Sequence, residues 1–209
     1  MRSSRAPARA RRTLTAITAV ALAATLAVPA SAEPGGQGRA GFKTSVPAML
    51  MAGADAPAGV EIDPIISVGD EIRGFLFDSI PDGIAFTRNG KGRADLYVNH
   101  ETSLVPFPGN LTDFTNSHVD RLVINQHSGG ILSASDAIPS SANYQRFCSN
   151  YLATEAEGFD RDILLTNEEA TDFVNRTGLA WPAPLSEPPA EQAGVVVALD
   201  IKSGEYRTI

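Results

Sequence analysis

The sequence predicts an all-β chain, and three observations carry that expectation. Apolar runs of strand length recur from residue 64 onward, each bounded by Gly, Pro, Asn or Asp. Three of the intervals are hairpin loops by composition: Arg88-Asn-Gly-Lys-Gly-Arg93, Gln126-His-Ser-Gly-Gly130 and Ile201-Lys-Ser-Gly204. A unit of several strands also occurs twice in the same order. Asp95-Leu-Tyr-Val-Asn-His-Glu101 matches Asp162-Ile-Leu-Leu-Thr-Asn-Glu168 at an offset of 67. Leu122-Val-Ile-Asn-Gln-His-Ser-Gly129 matches Val197-Ala-Leu-Asp-Ile-Lys-Ser-Gly204 at an offset of 75. Multi-strand repeats with no helix between them are the pattern of β-propeller blades.

Taken in order, residues 1–32 read as a signal peptide. Arg2, Arg5, Arg9, Arg11 and Arg12 form a basic start, Leu14 to Val28 an apolar stretch, and Ala30-Ser31-Ala32 a cleavage site. The apolar stretch is too short and alanine-rich for a membrane span, so a secreted protein with no stable membrane anchor is expected. Arg11-Arg12 leaves twin-arginine (Tat) export open beside the general (Sec) route. Residues 33–59, rich in Gly, Ala and Pro, read as a disordered leader, and 60–209 as a partial β-propeller.

All 24 acidic residues follow residue 32, whereas 5 of the 17 Lys and Arg precede it. The remaining chain carries a net charge of about −12, which argues against nucleic acid and anionic membrane as partners. It suits Ca²⁺ and other hard cations. The single cysteine cannot form an internal disulfide, so it is a free thiol, an intermolecular link or a ligand.

Pro64–Asp70, Glu71–Phe77, Ile80–Phe86, Asp95–Glu101, Arg121–Asn125, Ile131–Ala134, Asp162–Asn167, Gly194–Asp200 and Glu205–Ile209 are the expected strands. Only Glu168–Thr177 has the composition of a helical turn, and Trp181–Pro189 reads as a loop. The last strand has no polar cap, so an incomplete propeller is expected.

The chemistry concentrates at Cys148, Glu101, Glu168 and Glu169. In a propeller the equivalent strand ends of successive blades converge on one axis, so Glu101 and Glu168 meet there. Glu168 and Glu169 are adjacent and face opposite sides of a strand, with Glu168 the better match to Glu101. The plainer readings are a buried thiol for Cys148, and for the two acids a helix N-terminus capped by Asn167. His100 reads as a hydrogen-bonded structural residue, His118 and His127 as loop residues without ligand spacing, and Asp82 in Pro-Asp-Gly as a turn residue. No nucleophile elbow, phosphate-cradling loop or zinc spacing occurs.

At Asn99-His-Glu101, Phe147-Cys-Ser-Asn150, Leu165-Thr-Asn-Glu-Glu169 and Ala193-Gly-Val-Val-Val-Ala-Leu-Asp200 the chain resembles the PhoX-type secreted alkaline phosphatases. The resemblance covers residues 65 to 209, the N-terminal part of such a protein. It departs where the family usually has Gly-Gly and a Trp after its cysteine, since this chain has Ser149-Asn150-Tyr151. The resemblance implies a six-bladed propeller with a Ca²⁺ and Fe³⁺ cluster. Cys148 would then be the iron ligand, Glu168 or Glu169 a calcium ligand, and Glu101 a weaker carry-over.

The function implied is secreted, metal-dependent hydrolysis of small phosphate monoesters, with these 209 residues alone expected to be inactive. The alternatives are a non-catalytic, Ca²⁺-stabilised binding module and a truncated product with no function.

Overall fold

A computed structural model describes residues 40–101, 117–171, 173–174, 176 and 191–209. The segments read from sequence as a signal peptide, the start of a leader and a Pro-rich loop at 181–189 lie outside them. The described residues form β-strands, turns and two short 3-10 turns, at Ser140–Ala142 and Glu155–Glu157. The all-β expectation therefore holds, in several antiparallel sheets of which none is closed.

A small hairpin pairs β1 (Glu71–Ile72) with β2 (Phe75–Leu76). The main body is two four-stranded antiparallel sheets. In the first, β3 (Pro81–Arg88), β4 (Arg93–His100), β5 (His118–Asn125) and β6 (Ile131–Ile138) follow one another as a meander. In the second, β7 (Phe147–Ala153) pairs with β8 (Ile163–Glu168). A short excursion then pairs β9 (Phe173–Val174) with β10 (Glu191–Gln192), and the sheet resumes with β11 (Val196–Asp200) and β12 (Tyr206–Thr208).

The repeat read from sequence falls on equivalent elements, with β4 and β8 second and β5 and β11 third in their sheets. Their closing turns agree in the hydrogen bonds that build them. Asn125 Oδ1 accepts from the amides of His127 and Ser128, and Asp200 Oδ1 accepts from those of Lys202 and Ser203. Gly129 N donates to Asn125 O, and Gly204 N to Asp200 O, both at 2.8 Å. Both glycines have positive φ, 71° and 77°, where a side chain is strained.

The first sheet is a middle layer. One face carries Tyr97, Val119 and Ile138 into a core shared with Tyr144 and with Phe147, Leu164, Val197 and Leu199 of the second sheet. Its other face carries Val98, Leu122 and Ile131 against Ile72 and Phe77, with Phe42 and Ile66 packed alongside. Each fully buried side chain of this kind contributes roughly 1.5–3 kcal/mol. Burial on both faces explains why β4 places Asn99 and His100 out of solvent entirely.

Several local expectations are corrected. Pro64–Asp70 is irregular rather than a strand, because Asp70 Oδ2 accepts from Ser67 N and closes a turn. Glu71–Phe77 is not one strand but the β1–β2 hairpin, reversed at Arg73 and Gly74 with φ of 54° and 87°. The helical turn expected from Glu168 is absent, since Glu168 ends β8 and 169–171 are irregular. His118 opens β5 rather than lying in a loop. Phe42, in the leader, exchanges two backbone hydrogen bonds with Ile131 and so joins the edge of the first sheet. Strand β7 was not anticipated.

Candidate metal centre

The first strands of the two sheets lie against one another. A Cβ on Gly83 would stand 2.3 Å from the Cys148 carbonyl oxygen and 2.8 Å from Asn150 N, so only glycine permits this approach of β3 to β7. Asn99 spans the junction. Its Nδ2 donates to Cys148 O at 3.0 Å, Ser149 O at 3.1 Å and Thr166 Oγ1 at 2.8 Å. Asn150 Nδ2 returns to Gly83 O at 2.9 Å and Asn99 Oδ1 at 3.2 Å. Both first strands also bulge here, the ladder slipping between Pro81 and Ile84 and between Phe147 and Asn150. Bulges of this kind turn a side chain away from the regular alternation.

Asp82 and Cys148 sit in these two bulges, and Glu101 and Glu169 follow directly on the ends of β4 and β8. The four side chains form one electrostatic group. The Asp82 carboxylate hydrogen-bonds the Cys148 thiol, and with partial burial and the Glu169 charge it pushes the thiol up to about 12. Burial raises Glu101, and the Asp82 and Glu169 carboxylates add to the rise while Arg146 opposes it. Asp82 is therefore the residue that sequence reasoning passed over. Its signal was present, one position from the repeat equivalent of Cys148, but Pro-Asp-Gly reads first as a turn.

Glu168 is held elsewhere. Its carboxylate is buried, paired to Arg176 Nη1 at 2.6 Å and Nη2 at 3.1 Å. It also accepts from the amides of Gln145 at 2.9 Å, Gly194 at 2.9 Å and Val195 at 3.3 Å. A carboxylate so occupied has little capacity left for a cation. Of the four residues singled out from sequence, Cys148, Glu101 and Glu169 come together and Glu168 does not join them.

Asp82 and Glu169 are exposed and Cys148 is partly buried, so the group opens to solvent. Its members do not bring three ligand atoms within 4.8 Å of one another. Holding an ion requires the exposed Asp82 or Glu169 side chain to turn inward. The mixture of three carboxylates and a thiol fits a hard cation through oxygen and a softer one through sulfur, once the thiol loses its proton.

No helix among the described residues is long and apolar enough to cross a membrane. Comparison with family models, with curated proteins and with solved structures finds no match.

Proposed function

We propose that the chain carries the metal centre of an exported, metal-dependent phosphomonoester hydrolase of the PhoX type. Its two meanders are read as two propeller blades, and its metal ligands as Asp82, Glu101, Cys148 and Glu169. The observation that supports this reading is the coupling of four ligand-type side chains from equivalent places in two repeated sheets. Glu168, included in the ligand set by sequence, is left out because Arg176 and three amides already hold it.

In this reading Fe³⁺ and Ca²⁺ supply, when bound, Lewis-acid polarisation of a phosphoryl oxygen. The chain's own residues hold and neutralise the cations. Asp82 links Glu101 to Cys148, and Gly83 and Asn99 keep the two bulges in contact. Small phosphate monoesters are the substrate class.

The test is iron and calcium content together with hydrolysis of p-nitrophenyl phosphate, measured on the full-length protein. Bound iron and activity that fall roughly 100-fold or more in Glu169→Gln and Cys148→Ser are expected. Absence of both iron and hydrolysis contradicts the proposal. One observation favours a second reading, a non-catalytic module stabilised by Ca²⁺: the thiol is held protonated by its acidic neighbours, which suits oxygen-only ligation. Calcium without iron, and no hydrolysis, would select it.

A further inference from the structure

A second set of ligand-type side chains lies on the opposite face of β4. His100 ends β4 and is the direct cross-strand partner of His118, the first residue of β5. Their rings stack at 4.3 Å between centroids with 9° between planes. Asp120, two residues along β5, shares their face, and Asp78 reaches them from the loop after β2. His100 Nε2 lies 3.1 Å from Asp120 Oδ2, and His118 Nε2 lies 3.4 Å from Asp78 Oδ1 and 3.6 Å from Asp120 Oδ1. Among the described residues, Asp78, His100 and His118 are the one group whose ligand atoms all fall within 4.8 Å of one another.

We propose that Asp78, His100, His118 and Asp120 form a binding site for a divalent transition metal of the Zn²⁺ class. Ligand atoms about 2.0–2.2 Å from a tetrahedral zinc stand roughly 3.3–3.6 Å apart. The His–carboxylate distances of 3.1, 3.4 and 3.6 Å are close to that, and Asp120, outside the 4.8 Å group, would turn its carboxylate to complete the set. Burial supplies the second argument. The His100 and Asp120 side chains are fully buried, yet neither oxygen of Asp120 makes a hydrogen bond, and its 3.1 Å approach to His100 Nε2 is not aligned as one. Leaving such groups unmatched costs about 1–3 kcal/mol each, more for a charge. Groups that are close together but not aligned with one another point at a shared space, which a cation would fill.

Charge closes the case for a divalent ion. Two aspartates and two neutral imidazoles balance M²⁺ to zero in a site capped by Phe77, whose ring meets His100 edge-on at 5.0 Å. Asp136, opposite Asp120 on β6, adds negative potential. Asp78 is the most exposed of the four, with 21% of its side chain reaching solvent, and marks the route of entry. Four protein ligands leave no open position, so the ion is structural: it ties the β1–β2 side of the first sheet to β4 and β5. The site shares no residue with the Cys148 group and does not depend on that reading.

The test is Zn²⁺ and Co²⁺ titration of the full chain after chelator treatment, with folding checked by circular dichroism. One equivalent of Co²⁺ with four-coordinate d–d bands, displaced by Zn²⁺ and retained in Cys148→Ser, is expected. His118→Gln should abolish it. Asp78→Asn, a loop change that leaves the sheet intact, should weaken it roughly tenfold or more. Absence of uptake by the folded wild-type chain overturns the proposal, as does uptake unchanged in folded Asp78→Asn. A cobalt–thiolate charge-transfer band lost in Cys148→Ser also overturns it, by assigning the metal to the other group.

Discussion

Glu168 accepts hydrogen bonds from three amides and a bidentate Arg176, while Glu169, one residue on, lies against the Cys148 thiol. Matching strand ends by letter paired Glu101 with Glu168, but the element ends pair it with Glu169. A strand alternates faces at every residue, so a phase error of one reverses the assignment. The bulge at Cys148 and the Arg176 partner, eight residues away, are not visible to letter matching. The two variants should therefore separate cleanly. Glu168→Gln removes the closer of two counter-charges from the partly buried Arg176 guanidinium and leaves buried amides unmatched, and is expected to cost about 3 kcal/mol in denaturant unfolding. Glu169→Gln, at an exposed position, is expected to stay within about 0.5 kcal/mol of wild type while lowering metal content. The reverse pattern would return Glu168 to the site.

At the scale of elements, the hairpins were the most legible feature, because their Ser-Gly turns are encoded within a few residues. Strand β7 was not, since Cys148-Ser-Asn-Tyr151 mixes polar and apolar residues where the chain bulges and Asn150 turns to the first sheet. The β5–β6 and β11–β12 turns are built alike on Asn125 and Asp200, which makes them an internal control for pH. The amides of Ser203 and Lys202 hold the Asp200 carboxyl below its ordinary 3.8, so its contribution is present above that value. It is lost as pH falls through the lower, folded-state value. Asn125 does not titrate. Hydrogen exchange of the Gly204 amide should therefore lose protection relative to Gly129 as pH falls below the ordinary carboxylate value, and Asp200→Asn should remove the difference. A constant ratio would mean the Asp200 charge adds nothing to its turn. Gly83→Ala drives a methyl group into the β7 backbone and is expected to cost about 2–3 kcal/mol. Gly53→Ala, with nothing within 4 Å, provides the neutral comparison.

At the scale of the whole molecule, the two meanders are joined by apolar burial and by the buried amide of Asn99. Its three acceptors all belong to the second sheet. Asn99→Ala strands those acceptors and is expected to cost about 2–4 kcal/mol, both sheets still melting in one transition. Two separate transitions in that variant would show that Asn99, rather than the shared core, couples them. The all-β class and the repeat were readable because strand period and turn chemistry are local. The contact of β3 with β7 was not, since it depends on a glycine and two asparagines 49 to 67 residues apart. The most direct test of the site formed at that contact is iron K-edge absorption spectroscopy on the metal-loaded, full-length protein. A coordination shell of oxygen plus one sulfur, with the sulfur lost in Cys148→Ser, is the predicted result. An all-oxygen and nitrogen shell, or no bound iron, would contradict the assignment of Cys148, Asp82, Glu101 and Glu169 as one iron-binding metal centre.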